Sequence, residues 1–185
     1  MIPKSFFERN AVKVAKDLIG CFLCTRDGRH MIVETEAYEG VEDRASHASR
    51  GKTDRNQVMF GDPGRWYIYF TYGMHYMLNI VCGKKGHPAA VLIRGVVNAI
   101  GPGRLTKKLE IDKKLNGKKL SKTSGFWIEY DPTSPHLAGF RGTKEILKTP
   151  RIGVDFAGSV WSKKRYRFVL EGYETKKFKN YFRKS

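Results

Sequence analysis

Between residues 31 and 38 apolar or small positions alternate with polar ones: Met31, Val33, Thr35 and Ala37 fall on one side of an extended chain, and Glu34, Glu36 and Tyr38 on the other. This predicts a strand that projects two carboxylates and a tyrosine together. A partner strand over 20–23 joins it through Arg26-Asp27-Gly28-Arg29, because Asp-Gly favours a tight hairpin turn. Upstream, Val12, Ala15, Leu18 and Ile19 recur near helical period, with Asn10 as cap and Gly20 as stop, which predicts a helix over 11–19 packed on a sheet. Strands over 66–70 and 76–81 are joined through Thr71-Tyr72-Gly73-Met74-His75, with Tyr72 near an aromatic tip and Tyr69 just behind it.

A further apolar strand over 89–97 is interrupted by Arg94, a charge that is costly inside such a run unless Glu34 or Glu36 pairs with it. Gly101-Pro102-Gly103-Arg104 reads as a helix start suited to a phosphate, with Leu105 and Leu109 on one face. Strands are also predicted over 126–130, 152–156 and 166–170. The long polar loop over 40–63 holds His47, and long loops of this kind carry function more often than not. A lysine-rich segment surrounds Asn116-Gly117, and residues 175–185 read as a basic tail.

The length of 185 residues suits one domain with one core. Charge changes the picture more: 35 Lys and Arg stand against 18 Asp and Glu, a net +17, while 12% of residues are aromatic. A folded nucleic-acid binder fits this better than a basic tail poor in aromatics, and no basic amphipathic helix points to a membrane surface. The start Met1-Ile2-Pro3-Lys4-Ser5 lacks a signal-peptide core, and no apolar run reaches the ~18 residues of a membrane span. Cys21, Cys24 and Cys82 form no disulfide framework, and Cys21-Phe22-Leu23-Cys24 lacks the second pair or His of a zinc site. A soluble intracellular protein with reduced thiols is expected.

On such a chain the acidic and aromatic cluster over 34–47 suggests chemistry on a bound polyanion. Taken singly, Glu36 is equally a salt-bridge carboxylate, His47 a surface residue, and Tyr38, Tyr69 and Tyr72 core or surface rings. Their coincidence on neighbouring elements, with Arg94, is what points to base repair. That task needs a wedge, an aromatic pocket and an activated water.

These residues resemble the alkyladenine (3-methyladenine) DNA glycosylases, monofunctional base-excision repair enzymes. The matching segments run in order: Ile32-Val33-Glu34-Thr35-Glu36-Ala37-Tyr38, Asp43 to His47, Arg55-Asn56 with Met59-Phe60, Gly64-Arg65-Trp66-Tyr67-Ile68-Tyr69, Tyr72-Gly73-Met74 and Leu78-Asn79-Ile80. Val91-Leu92-Ile93-Arg94, Gly101-Pro102-Gly103-Arg104-Leu105 and Pro150-Arg151-Ile152-Gly153-Val154 complete a resemblance reaching from about Phe6 to Val169. It implies that Glu36 is the general base for a water attacking C1′, with Arg94 and the Ile152 carbonyl holding that water. It further implies that Tyr38 stacks on one face of the flipped base, that His47 and Tyr69 enclose the other, and that Asn79 crowds the 2-amino group of normal guanine. Tyr72 would be the wedge, and Thr53, Met74 and His75 align with phosphate-contacting positions. The family pattern is lost after Val169, and His75 stands where some members carry Tyr.

The expected architecture is α+β: one domain over 1–185 with a curved, mainly antiparallel sheet, peripheral helices and a protruding hairpin that enters DNA. The expected activity is excision of alkylated or deaminated purines (3-methyladenine, 7-methylguanine, hypoxanthine, ethenoadenine) from double-stranded DNA, leaving an abasic site. No cofactor or metal is expected, since no P-loop, H-E-x-x-H or G-x-S-x-G occurs. A monomer is expected, near the nucleoid in a bacterial cytoplasm or in a eukaryotic nucleus. A non-catalytic nucleic-acid-binding module and an RNA-directed binder are the alternatives.

Overall fold

The computed structural model describes residues 1–130 and 145–173; the expected basic tail over 175–185 lies outside them. The chain begins with two short helices, α1 (Lys4–Phe7) and α2 (Ala11–Asp17), and then the hairpin β1 (Phe22–Cys24) and β2 (Arg29–Glu39). After the long loop come β3 (Trp66–Thr71), β4 (His75–Val81), β5 (Ala89–Val96), the two-residue β6 (Ala99–Ile100) and α3 (Pro102–Lys108). The last described elements are β7 (Trp127–Glu129), β8 (Ile146–Thr149), α4 (Gly158–Lys163) and β9 (Arg167–Leu170). Asn10 caps α2 as expected, accepting from the Val12 N–H at 2.9 Å.

The strands form a sheet in the order β3-β4-β5-β2-β1-β7, with β6 on β5, and β9 joining β2 to β8. Every strand pairing among the described residues is antiparallel. This is the expected α+β arrangement. The long strand β2 is the spine, pairing with β5 along one edge and with β1 and then β9 along the other. Its alternation is broken near Ile32 to Thr35 by register shifts against β5, so Ile32 and Val33 both enter the core where strict alternation predicts Val33 alone.

Alternation gives the sheet two distinct faces. Ala37, Trp66, Ile68, Leu78, Ile80, Ala89, Val91 and Ile93 join the main core with Val14, Ala15 and Leu18 from the α2 region. Thr35 also faces α2, donating its hydroxyl to the Ala15 carbonyl at 2.8 Å. The intervening residues Glu36, Tyr38, Tyr67, Tyr69, Asn79, Leu92 and Arg94 therefore lie on the opposite face. The main hydrophobic core lies on one side, while the other carries two smaller apolar clusters around Tyr67 and Val154 and leaves room for polar chemistry.

One predicted strand is absent. Residues 152–156 form a loop passing into a 3-10 turn, Asp155–Ala157, because Gly153 takes a φ of 73° and the Ile152 N–H is given to Glu36 rather than to a ladder. The short β8 and α4, with few or no buried side chains, were not predicted. Among the described residues no helix is long and apolar enough to cross a membrane.

Candidate active site

At the centre of the polar face, β2 and β5 bring the predicted charge pair together. Arg94 donates from Nε to Glu34 Oε1 at 2.8 Å and from Nη1 to Glu36 Oε2 at 3.2 Å. Glu34 Oε1 also accepts from Arg167 Nε on β9 at 2.6 Å. Two carboxylates thus meet two guanidinium groups, the pairing that lets charges survive in a protein interior. Burial works against the Arg94 charge, but Glu36 and Glu34 more than offset it and raise its pKa.

Glu36 is fully buried and held from three directions. Its Oε2 also accepts from the Tyr38 hydroxyl at 2.9 Å, and its Oε1 from the Ile152 N–H at 2.8 Å. The structure therefore shows the N–H of Ile152, a group the sequence did not single out, on the carboxylate. Burial first, then Glu36 and Tyr69, push the Tyr38 phenol well above its ordinary pKa, so it stays a donor across the working pH range.

In front of Glu36 opens a cavity of about 280 Å³ lined by Tyr38, His47, Tyr69, Asn79, Arg94 and Ile152 among others. Six of the predicted residues thus share one chamber, and Glu36 lies immediately behind three of them. Tyr72 also lines it, from the hairpin tip. Tyr72 is 79% exposed, and Tyr72 and Gly73 carry positive φ values of 53° and 63° at the centre of a turn closed by the Met74 N–H on the Thr71 carbonyl, the backbone a primed turn requires. A tyrosine in the left-handed region is uncommon and strained, which marks this tip as built for presentation.

The His47 ring lies edge-on to Tyr69 with centroids 4.5 Å apart, and its Nδ1 shares a 2.9 Å hydrogen bond with the Tyr67 hydroxyl. Although His47 remains an exposed residue, partial burial of its ring, then Arg55 and Arg50, lower its pKa. A neutral imidazole beside the cavity is what a cationic aromatic guest would require. Burial raises the Tyr69 phenol to about 12, so it too remains uncharged. Asn79 is buried, and its Nδ2 donates to the carbonyls of Tyr67 at 3.1 Å and Met77 at 3.2 Å.

The loop wall is organised by Asn56, whose Nδ2 donates to the carbonyls of His47 and Gly51 and whose Oδ1 accepts from the Thr53 N–H. Thr53 lies outside the cavity, in an adjoining cleft with Arg44, Arg50 and Arg55. Met74 stands exposed at the hairpin tip. His75 is the first residue of β4 rather than part of the turn, and its ring packs on Gly103 of α3. Thr53, Met74 and His75 are not among the residues that line the chamber.

Sequence reasoning missed Asp43 and Arg151 as a pair. Both side chains are fully buried; Arg151 Nη2 donates to Asp43 Oδ1 at 2.8 Å, and its guanidinium lies 4.8 Å from the Tyr38 ring centroid and 5.3 Å from that of Tyr166. Both belong to segments that drew attention, but nothing in the chain links positions 108 residues apart. Among the described residues no group of His, Cys, Asp and Glu is arranged to hold a metal ion, and Cys21, Cys24 and Cys82 are buried free thiols.

A family model described as methylpurine-DNA glycosylase (MPG) matches residues 5–99 and 97–174. A Carboxydothermus hydrogenoformans protein is 41% identical over 202 aligned positions, covering 96% of this chain and 100% of its own. A Methanocella arvoryzae protein is 39% identical, covering 85% of this chain and 86% of its own. One from Wolbachia pipientis is 44% identical, covering 83% of each. All three carry the provisional name 3-methyladenine DNA glycosylase.

Proposed function

Because the chain belongs to the methylpurine-DNA glycosylase family, we propose that it excises alkylated and deaminated purines from duplex DNA by turning the damaged nucleotide into the cavity and hydrolysing its N-glycosidic bond. A DNA glycosylase role in repair follows from the family. The lesion range of 3-methyladenine, 7-methylguanine, hypoxanthine and ethenoadenine, the base flipping and the residue roles are our reading. The observation that carries it is the buried Glu36 carboxylate behind an aromatic chamber.

In this reading Tyr72 fills the gap left in the stack, while Tyr38 takes one face of the base and His47 with Tyr69 the other. Base–aromatic stacking contributes roughly 1–3 kcal/mol per base, comparable with the few kcal/mol that unstacking requires. Alkylation at N3 or N7 makes the purine cationic, which improves it both as a guest for electron-rich rings and as a leaving group. Asn79 excludes guanine by crowding its 2-amino group. Glu36 Oε1 accepts one hydrogen bond among the described residues and so keeps acceptor capacity for a water steadied by Arg94 and the Ile152 carbonyl. Glu36 takes a proton from that water as its oxygen bonds to C1′, the C1′–N bond breaks, and the bonding pair leaves with the purine.

Among the described residues that line the cavity there is no lysine to form a Schiff base. The product is therefore an intact strand with an abasic site. Thr53, Met74 and His75 hold phosphates around the lesion, and one copy of the chain suffices for the chemistry, at the nucleoid or in the nucleus according to the cell.

Single-turnover release of hypoxanthine and 7-methylguanine from duplex DNA tests the reading, with wild type beside Glu36→Gln. The wild type releases free base and leaves DNA that breaks only on alkali or heat. The variant binds the lesion and loses excision by roughly 10²–10⁴-fold. Equal rates for the two proteins would remove Glu36 from its role.

A further inference from the structure

We propose that Phe156 is a substrate-contacting residue whose ring braces the deoxyribose of the nucleotide lodged in the cavity, an assignment that rests on the glycosylase reading above. Phe156 is 71% exposed, a large aromatic surface offered to solvent. Its base is nonetheless anchored: Val154 and Ala157 on either side are buried with Ala45 and pack against Tyr38 and Trp161. The ring thus projects from a fixed pedestal formed by the 3-10 turn Asp155–Ala157.

Its position assigns the contact. Phe156 lines the cavity and also the adjoining cleft, of about 420 Å³, that holds Arg44, Arg50, Arg55 and Thr53. A nucleotide presents three chemistries in sequence: an aromatic base, a sugar with C–H faces, and an anionic phosphate. The cavity offers rings to the first and the cleft offers guanidinium groups to the last. Ala45, Ser46, His47 and Phe156 line both; Ala45 and Ser46 are buried and His47 is taken up by the base, so the exposed Phe156 ring is the one of the four left to meet the sugar, and an aromatic face is the complement of its C–H groups. Phe156 escaped the sequence reading because it alternates with Ile152 and Val154 in a pattern that mimics a buried strand.

The test compares Phe156→Ala and Phe156→Tyr in the Glu36→Gln background, where binding is read without turnover, on a hypoxanthine duplex and an undamaged duplex across a salt series. Phe156→Ala is expected to weaken lesion binding roughly tenfold, the loss expected from partial burial of one ring. Undamaged-duplex affinity, its salt slope and the melting temperature should not move, because the ring touches no phosphate and supports no core. Phe156→Tyr should restore lesion binding. Equal loss on both duplexes, or no loss on either, overturns the assignment. Should the wild-type protein with Glu36 intact release no base from either lesion, the glycosylase reading falls and takes this inference with it; release by that protein with unchanged binding by Phe156→Ala sinks the Phe156 assignment alone.

Discussion

Tyr38 is held from behind as firmly as it is offered in front. Its hydroxyl donates to Glu36, and the Arg151 guanidinium covers the ring, itself neutralised by Asp43 and tied to the Ala37 carbonyl at 2.8 Å. Asp43 also accepts from the N–H groups of Glu39 and Ala45, so one ion pair joins the end of β2, the loop wall and the segment carrying Ile152. Removing one partner leaves the other charge buried and alone. Asp43→Asn is therefore expected to destabilise the fold by about 3–5 kcal/mol in denaturant melts. The double replacement Asp43→Leu with Arg151→Met should recover much of that stability while excision falls, because Tyr38 loses its backing. A double variant as unstable as Asp43→Asn would show that shape rather than charge matters there. At this scale the sequence reading went as far as residue type allowed. Tyr38, His47, Tyr69, Asn79 and Arg94 announce themselves as ring, imidazole, amide and charge on predicted strands and loop, and they do surround one cavity. The Asp43–Arg151 pair and the Tyr67 hydroxyl behind His47 depend on tertiary neighbours that no local pattern specifies.

The hairpin of β3 and β4 depends on α3 for its seat. Thr106 donates its hydroxyl to the Tyr76 carbonyl at 2.9 Å, and a Cβ placed on Gly103 would come within 2.7 Å of the His75 ring, nearer than real side chains approach. Gly103 is thus required for close approach of helix and strand, just below the tip that carries Tyr72. Gly103→Ala is expected to destabilise the protein by roughly 1–3 kcal/mol through overpacking. The added change His75→Ala should return most of that stability. No recovery in thermal or denaturant melts would place the conflict elsewhere. Elements with regular periodicity were legible: β2, β3, β4 and β5 lie within a residue or two of their predicted ranges, and so does the capped start of α2. Residues 152–156 were misread for a physical reason. Ile152, Val154 and Phe156 alternate as a strand would, but Gly153 bends the backbone and Glu36 claims the first N–H, so all three apolar residues line the cavity, Phe156 with most of its surface in solvent. The opposite error befell α4, whose residues Gly158–Lys163 include none that is buried and so leave no apolar stripe to read.

Across the whole molecule, the two faces of the sheet separate stability from chemistry. The main core and α2 occupy one face; the cavity, the hairpin tip and the arginine cleft occupy the other. A net charge of +17 draws DNA to any surface at long range, but only cations that end against phosphates release counterions on binding. The exposed Arg44 and Arg50 stand in the cleft beside the cavity, whereas the exposed Lys13 and Lys16 sit on α2, behind the sheet. Binding of undamaged duplex measured across a salt series should therefore distinguish them, although each pair changes the net charge equally. Arg44→Gln with Arg50→Gln is expected to reduce the magnitude of the log–log salt slope by about 2, close to one for each lost phosphate contact. Lys13→Gln with Lys16→Gln should leave the slope near its original value and lower affinity only slightly, through the weaker overall field. Equal changes for the two pairs would mean that DNA does not choose the face on which the cavity opens, and the orientation drawn from Tyr72 and the cleft would have to be abandoned.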